Sequence, residues 1–322
     1  MAAESLFATL LPSDCRLCGA ALTEVSRLPV CSACVRSVQR IAAKTCAVCG
    51  EAVASAEAGA GGIRCGLCQR ARLPFAKAVA YGSYEGALRG LIHLLKYERV
   101  RPASEVLGGL LAEAMADLQL GSSEKAALVI PVPLAAGRER QRGFNQAEEM
   151  ARAALRVSPT LAPKSAARTW GTAYIPTLAP KSAARTRGTL EPARTGGAVA
   201  GGTPALPELN TTALGRTRET ESQTGLTRHQ RRANLRGAFV VARPEQIAGR
   251  EIILVDDVYT TGTTVQECAR VLRRAGAAEV YVATVARVLK GEAPRTAADE
   301  QEAAVGGTGE GACATRSVPG TQ

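Results

Sequence analysis

The sequence predicts an α/β protein whose main domain is built on a parallel β-sheet and follows a small cysteine-rich domain. Two observations lead to this fold class. Apolar runs rich in β-branched residues alternate with helical patterns from about residue 76 onward, which is typical of a parallel sheet covered by helices on both faces. Ahead of them, four Cys-x-x-Cys pairs stand within the first 70 residues, in a segment with too few large apolar residues for a core of its own.

The cysteines of these pairs are predicted to bind two structural zinc ions. Two thiolates separated by two residues reach one ion from a tight turn, and a second pair completes a closed four-thiolate shell. Redox motifs and an iron–sulfur cluster fit knuckles such as CRLCG and CAVCG less well. Sequential pairing is favoured, and a cross-braced arrangement, first pair with third and second with fourth, stays open. The predicted ligands are Cys15, Cys18, Cys31, Cys34, Cys46, Cys49, Cys65 and Cys68.

The charge balance indicates attraction to a polyanion. A formal net charge of +11 and a pI near 9.4 suit either nucleic acid or a phosphate-rich small molecule. Aromatic residues make up only 3% of the chain, so an extended base-stacking surface is poorly supplied. No apolar run is long enough for a membrane helix, and the N-terminal stretch MAAESLFATLLPSDC has an acid where a signal peptide carries basic residues. We therefore expect a cytoplasmic protein without membrane insertion.

The elements of the main domain follow from their patterns. AVAYGSYE alternates as a strand does, and a helical stripe follows through Leu88, Leu91, Ile92 and Leu95. EVLGGLLAEAMADL predicts a helix, AALVIPVPL a buried strand, and RERQRGFNQAEEMARAAL a basic start that becomes helical. Further on, FVVA, REIILVDD and AEVYVATVARVL predict strands, and TTVQECARVLRRAG predicts an amphipathic helix with Cys268 on its apolar face.

Two segments of biased composition are predicted to lie outside the fold. The string PTLAPKSAARTWGT at residues 159–172 recurs at residues 176–189 with one substitution, and two such apolar-poor copies indicate a duplicated flexible loop rather than a solenoid. The expected organisation is a zinc domain at 1–75, a sheet domain at 76–289 interrupted by an insert at about 158–208, and a disordered tail at 290–322.

The stretch IILVDDVYTTGTT, residues 252–264, holds the strongest functional signal. It predicts a strand that ends in two carboxylates and a loop that leads into a helix, which is where ligands bind in such sheets. Gly262 permits a close or left-handed turn, and the loop offers backbone N–H groups and hydroxyls to a phosphate. Asp256 and Asp257 repel a phosphate but suit sugar hydroxyls or Mg2+. A ribose 5-phosphate satisfies both demands.

This stretch resembles the signature of type I phosphoribosyltransferases. The resemblance implies that Asp256 and Asp257 are a catalytic pair holding the ribose hydroxyls of phosphoribosyl pyrophosphate (PRPP), with Mg2+ as its cation. It assigns the 5-phosphate to Thr260, Thr261, Gly262, Thr263 and Thr264. Basic groups that compensate the charge of departing pyrophosphate are expected at Arg138, Arg140, Arg142 and Lys96.

Three further strings resemble the ComF family of competence proteins: LIHLLKYERV, VIPVPL with RERQRGFNQAEEMA, and TRETESQTGLTRHQRRANLRGAFVV. The resemblance implies a double zinc ribbon joined to a type I phosphoribosyltransferase-like domain, and a link to DNA uptake in natural transformation. The arginine-rich segment 223–234 is then a candidate for a loop that closes over the sugar or contacts nucleic acid.

Two functions stay open at this point. One is an enzyme that transfers the phosphoribosyl group from PRPP to an unidentified acceptor with release of pyrophosphate. The other is a non-catalytic component that senses PRPP and contacts single-stranded DNA or a competence helicase.

Overall fold

A computed structural model of the chain describes residues 13–22, 26–53, 62–118, 120, 125–157, 207–218 and 228–289, except for the side chains of residues 228, 229, 231 and 232. The duplicated strings and the tail fall outside the described residues. Our expectations for those segments stay predictions.

A parallel sheet forms the centre of the described structure. Its strands are β1 Lys77–Ser83, β2 Leu128–Pro131, β3 Glu208–Leu209, β6 Glu251–Tyr259 and β7 Glu279–Arg287. Every pair in it is parallel, and the order is β1-β7-β6-β2-β3. Two more strands, β4 Leu214–Arg216 and β5 Phe239–Val241, pair antiparallel beside it. The predicted α/β class with a parallel sheet is confirmed.

Helices cover both faces of this sheet. In chain order, the helices of the described structure are α1 Ser32–Arg36 and α2 Gly66–Arg70 in the cysteine-rich region, and α3 Gly86–Lys96, α4 Ala103–Met115, α5 Ala136–Arg142, α6 Gln146–Val157, α7 Arg228–Leu235, α8 Pro244–Ile247 and α9 Thr263–Arg274 in the sheet domain. The sheet core packs against α3, α4 and α6 on one face and against α9 on the other. Within the described segments, no helix combines the length and the apolarity that crossing a bilayer requires.

Strand β6 shows why the apolar run of the sequence folds as an interior strand. Ile253 and Val255 are fully buried in the core that α3, α4 and α6 share with one face of the sheet. Ile252 and Leu254 are fully buried in the core beneath α9 on the other face. Alternate side chains point to opposite faces, so a strand covered on both sides must be apolar at every position until it leaves the core.

The basic stretch after β2 is more structured than the sequence suggested. It forms a separate short helix, α5, which ends at Gly143 in the left-handed conformation, with φ +80°. Asn145 then begins α6, since its Oδ1 accepts a hydrogen bond from the Ala147 N–H at 3.0 Å. Helix α5 therefore stands beside the carboxyl end of β2.

The cysteine-rich region is docked on the sheet domain. The Ala78 N–H in β1 donates to the Val48 carbonyl at 2.7 Å. On α3, a Cβ added at Gly90 would collide with the Leu17 side chain. These contacts hold the first and the third cysteine pair close to elements that lead into the site.

Candidate functional site

The acidic end of β6 lies at the point where the chain connections of the sheet reverse direction. The connection from β2 leads outward to its neighbour β3, while the connection from β6 leads the opposite way to β7. Loops that leave two adjacent parallel strands in opposite directions open a crevice at the carboxyl ends of those strands. Asp256 and Asp257 on β6 stand at this crevice.

Asp257 is held by two partners from distant parts of the chain. Its side chain is 9% exposed, and its Oδ1 lies 3.0 Å from Lys96 Nζ at the end of α3. Its Oδ2 accepts a 2.7 Å hydrogen bond from Gln146 Nε2 at the start of α6. Burial lowers the pKa of Lys96, but the Asp257 carboxylate outweighs burial and leaves that pKa above its ordinary value. Lys96 therefore stays charged, and both side chains are fixed in place.

Asp256 occupies a different electrostatic position beside it. Its Oδ1 accepts a 2.9 Å hydrogen bond from the Asp257 backbone N–H, and its side chain keeps partial contact with solvent. Loss of hydration, followed by repulsion from Asp257, raises the pKa of Asp256 to about 7. A neighbouring cation or hydroxyl donor would favour its charged form, so this carboxyl is prepared to receive a ligand.

The loop after β6 turns tightly into α9. Gly262 caps the helix with φ +71°, and a Cβ at this position would collide with the Tyr259 hydroxyl and ring. Only glycine satisfies both the dihedral angle and the space. Thr261 Oγ1 and Thr263 Oγ1 lie 2.8 Å apart. Thr260 is exposed and Thr264 is half-buried at the first turn of α9. The loop hydroxyls therefore stand next to a helix N-terminus, which favours an anion.

The four predicted basic residues are not equivalent. Lys96 contacts Asp257 directly. Arg142 is half-buried, donates to Gln146 Oε1 at 2.8 Å and stacks 5.6 Å from the centre of the Tyr97 ring. Burial lowers the pKa of Arg142, and Asp257 partly offsets this effect. The structure thus brings Lys96 and Arg142 to the acid pair.

Arg138 and Arg140 differ from each other in their direction. Both are exposed on α5. Arg138 precedes Arg142 by one helical turn and shares its face, whereas Arg140 is two residues away and lies on the other side of the helix. Repulsion from Arg138 contributes to the lowered pKa of Arg142. The geometry favours Arg138 over Arg140 as a further basic group at the crevice.

Two residues at the site were missed by the sequence analysis. Gln146, 4% exposed, joins Arg142 to Asp257. Arg216 on β4 is half-buried over the Phe239 ring at 5.4 Å. Burial and repulsion from Arg138 lower the pKa of Arg216, and attraction to Asp256 opposes this effect. The only signal for Gln146 was its place next to the helix-capping Asn145, and no sequence signal marked Arg216.

The arginine-rich segment is described only in part. Residues 223–227 lie outside the described residues, while Arg228–Leu235 is helix α7 rather than loop. The prediction of a closing loop therefore stays a prediction for the first part of the segment alone.

The cysteine pairs assemble sequentially, as the sequence favoured. One tetrad contains Cys15, Cys18, Cys31 and Cys34, and the other contains Cys46, Cys49, Cys65 and Cys68. Sulfur–sulfur distances of 3.9, 3.7 and 3.6 Å occur between tetrad members. A tetrahedral zinc shell with Zn–S bonds of about 2.3 Å requires about 3.8 Å between sulfurs. Each tetrad therefore fits a closed structural zinc site, while Cys268 is fully buried on α9 as an apolar residue.

Two known domain families match the chain. The double zinc ribbon domain matches residues 6–71, and the phosphoribosyl transferase domain matches residues 209–306. DNA utilization protein YhgH of Salmonella typhi is 29% identical over 285 residues, which are 87% of this chain and 99% of that protein. Competence protein F of Haemophilus influenzae is 28% identical over 69% of this chain and 78% of that protein.

One solved structure gives a weaker match. Glutamine PRPP amidotransferase from B. subtilis, complexed with ADP and GMP, is 17% identical over 57% of this chain and 26% of that chain, with a TM-score of 0.26. At this score the similarity does not bear on the fold. The two domain matches confirm the predicted pairing of a double zinc ribbon with a phosphoribosyl transferase domain.

The tetrads predict how zinc content responds to mutation. Replacing Cys15, Cys18, Cys31 and Cys34 with serine should leave one zinc ion per chain, because the second tetrad keeps all its ligands. Elemental analysis of the purified protein measures this, with Cys268→Ala as a control that retains two ions. Complete loss of zinc in the four-serine variant would contradict the sequential grouping and favour the cross-braced one.

The raised pKa of Asp256 predicts a pH-dependent stability. Between the ordinary pKa of a carboxyl group and about 7, folded Asp256 holds a proton that the unfolded chain has lost, so its contribution to stability falls as pH rises through this window. Asp256→Asn removes this pH-dependent loss of stability, because asparagine does not ionise, and it keeps an oxygen that can accept a hydrogen bond from the Asp257 N–H. The variant's gain in free energy of unfolding should be larger at pH 8 than at pH 6 by about 1 kcal/mol.

Urea unfolding at both pH values measures this difference. Glu279→Gln, at a half-exposed carboxyl at the start of β7, serves as the control. An equal gain at the two pH values would show that Asp256 does not titrate in this range.

Proposed function

We propose that this chain, which belongs to the ComF family because it joins a double zinc ribbon to a phosphoribosyl transferase domain, binds PRPP with Mg2+ and transfers its phosphoribosyl group to an acceptor. The acceptor is not specified by the described residues. We place the protein in the cytoplasm, where thiols stay reduced and can hold zinc. The same family likeness links it to competence and DNA uptake.

The fixed acid pair next to the glycine turn is the observation that carries this proposal. Lys96 and Gln146 occupy one oxygen each of Asp257, and Asp256 keeps partial solvent contact. The strand Glu251–Tyr259 carries these carboxylates near its end and is followed directly by the loop that begins α9. The hydroxyls of a ribose bound here would donate hydrogen bonds to the carboxylates, and its 5-phosphate would accept hydrogen bonds from the loop N–H groups.

The proposed reaction follows from the charges around this cradle. The bond between C1 of the ribose and pyrophosphate breaks, the leaving group takes the bonding electrons, and the acceptor forms a new bond to C1. We assign Arg142 and Arg138 on α5 to stabilising the negative charge that accumulates on the leaving group. The Asp256 carboxyl, in a residue that is only partly buried, would hold Mg2+, and a bound Mg2+ would neutralise charge on pyrophosphate. The protein mainly orients the sugar and excludes water from it.

A second candidate function is supported by the rim of the crevice. Tyr97 directly follows Lys96 and is 63% exposed, an unusual exposure for an aromatic ring. Arg142 stacks on this ring, Arg99 donates to the Gln141 carbonyl, and Arg101 stacks 5.0 Å from the centre of the Phe144 ring. An exposed aromatic ring among arginines is the arrangement that single-stranded nucleic acid binders use. The chain would then sense PRPP while it contacts single-stranded DNA or a competence helicase.

Replacing both acids should abolish PRPP binding. Asp256→Ala together with Asp257→Ala should weaken binding at least about hundredfold, since the sugar hydroxyls lose charged acceptors. Calorimetric titration with PRPP and Mg2+ measures this, and the matched control is Asp117→Ala, which removes an acid paired with Arg40. Unchanged affinity in the double variant would refute the assignment of the ribose site. An assay of pyrophosphate release against nucleobases and amines then separates transfer from binding alone.

The second candidate predicts salt-sensitive binding of oligonucleotides at Tyr97. Tyr97→Ala should weaken binding of single-stranded DNA about tenfold through loss of stacking, and the affinity should fall steeply with salt. Fluorescence anisotropy with a labelled oligonucleotide measures both effects. Val240→Ala, at another exposed apolar residue, is the control, and equal affinities of the two variants would exclude the Tyr97 rim as the contact.

A further inference from the structure

A buried ion pair joins the second cysteine tetrad to the central sheet. The Arg287 side chain at the end of β7 is 3% exposed, and its Nη2 lies 2.8 Å from Oε2 of Glu51. Its Nη1 donates to the Cys49 carbonyl. Cys49 belongs to the tetrad of Cys46, Cys49, Cys65 and Cys68, and Glu51 follows it by two residues. The guanidinium is therefore held by both the backbone and a side chain of the zinc knuckle.

The same guanidinium stacks on Tyr259. Its central carbon lies 4.4 Å from the centre of the Tyr259 ring, and the two residues are register partners on β6 and β7. Tyr259 is 4% exposed. A cation on an aromatic face that is shielded from water is a strong contact, so the position of the ring depends on that of Arg287.

Tyr259 in turn forms the floor of the glycine turn. The ring and hydroxyl fill the space where a Cβ of residue 262 would stand. A displacement of the ring must therefore move the turn or open a gap beneath it. The Tyr259 backbone carbonyl also accepts from the Val288 N–H at 3.1 Å, which ties the strand end to the residue after Arg287.

The same zinc knuckle also packs tightly against strand β1. Gly50 has φ +72°, and a Cβ there would lie 2.9 Å from the Ala78 carbonyl oxygen and 3.7 Å from Arg287 Nη1. The Val48 carbonyl accepts from the Ala78 N–H in β1. If this knuckle moved, the buried Arg287 guanidinium would lose its hydrogen-bond partners. Leaving a buried charge without partners is strongly unfavourable.

We propose that Arg287 is a positioning residue that couples the second zinc site to the loop of residues 260–264, so that binding of a phosphate ester in the loop depends on zinc in that site. This inference rests on the proposed function for the identity of the ligand, PRPP. Because coupling between the binding equilibria of two sites is reciprocal, PRPP should also raise the affinity of the second tetrad for zinc. The first tetrad does not include Cys49 and lacks this connection.

The variant Arg287→Lys tests the coupling while it keeps a positive charge opposite Glu51. Lysine has no planar guanidinium, so it cannot stack on the Tyr259 ring and donate to the Cys49 carbonyl at the same time. The variant should retain two zinc ions per chain, exchange the loop amides with deuterium faster, and bind PRPP about tenfold more weakly, as expected for loss of one shielded cation–π contact.

Arg250→Lys is a matched control at the opposite end of the sheet. Arg250 also donates to a backbone carbonyl, that of Ala126, and pairs with a glutamate, Glu208. This variant should keep wild-type exchange in the loop and wild-type affinity for PRPP. Wild-type loop exchange in Arg287→Lys, with two zinc ions present, would overturn the proposal.

The zinc affinity of the unmodified protein gives a second measurement that does not depend on the folding of a variant. In equilibrium competition with a chromogenic chelator, PRPP with excess Mg2+ should raise the affinity for one of the two zinc ions by about tenfold and leave the other unchanged, because the coupling acts equally on both binding equilibria. Equal zinc affinities with and without bound PRPP would also overturn the coupling. If calorimetry detects no PRPP binding to the wild type, the proposed function fails, and the loop exchange of Arg287→Lys still decides whether the coupling exists.

Discussion

Two adjacent carboxyl groups at the end of a buried strand are the constraint around which this structure is arranged. Asp257 is 6% exposed, and an ionised carboxyl in such a place must be paired or lose its charge. The chain supplies Lys96 from α3 and Gln146 from α6, one to each oxygen. Because these partners come from separate helices, the packing of α3 and α6 against the sheet and the geometry of the acid pair depend on each other.

The two carboxyl groups respond differently to this constraint. Asp257 is paired with Lys96 and Gln146, whereas the Asp256 side chain accepts a hydrogen bond from the Asp257 N–H and its pKa is raised to about 7. The site is therefore preorganised on one side and incomplete on the other. A ligand that brings hydroxyl donors and a divalent cation would supply the missing partners of Asp256. The site can then bind a substrate through interactions that the protein alone does not make.

The sequence predicted the local parts of the site, and the family resemblance added Lys96 and Arg142, but the long-range contacts made by Gln146 and Arg287 were missed. The apolar run, the paired acids and the threonine–glycine turn lie within thirteen consecutive residues, so strand and helix periodicity sufficed to place them. The cysteine pairs were equally local, and the sulfur distances agree with the zinc sites they predicted. By contrast, Gln146 and Asp257 are 111 residues apart, and Glu51 and Arg287 are 236 apart.

No periodicity connects residues at such separations, and an arginine near the end of a strand gives no sign of whether it faces water or a zinc knuckle. The three arginines after β2 could not be distinguished from the sequence for a similar reason. Helix α5 was not predicted, and it is the helix that puts Arg138 and Arg142 on one face and Arg140 on another.

The central claim is that the acid pair and the glycine turn hold one ribose 5-phosphate. A crystal structure of the protein grown with PRPP and Mg2+ tests this claim most directly. The account predicts that both ribose hydroxyls lie within hydrogen-bonding distance of Asp256 and Asp257 and that the 5-phosphate contacts the N–H groups of residues 260–264. PRPP bound elsewhere, or a turn filled by other side chains of the protein while PRPP is bound, would contradict it.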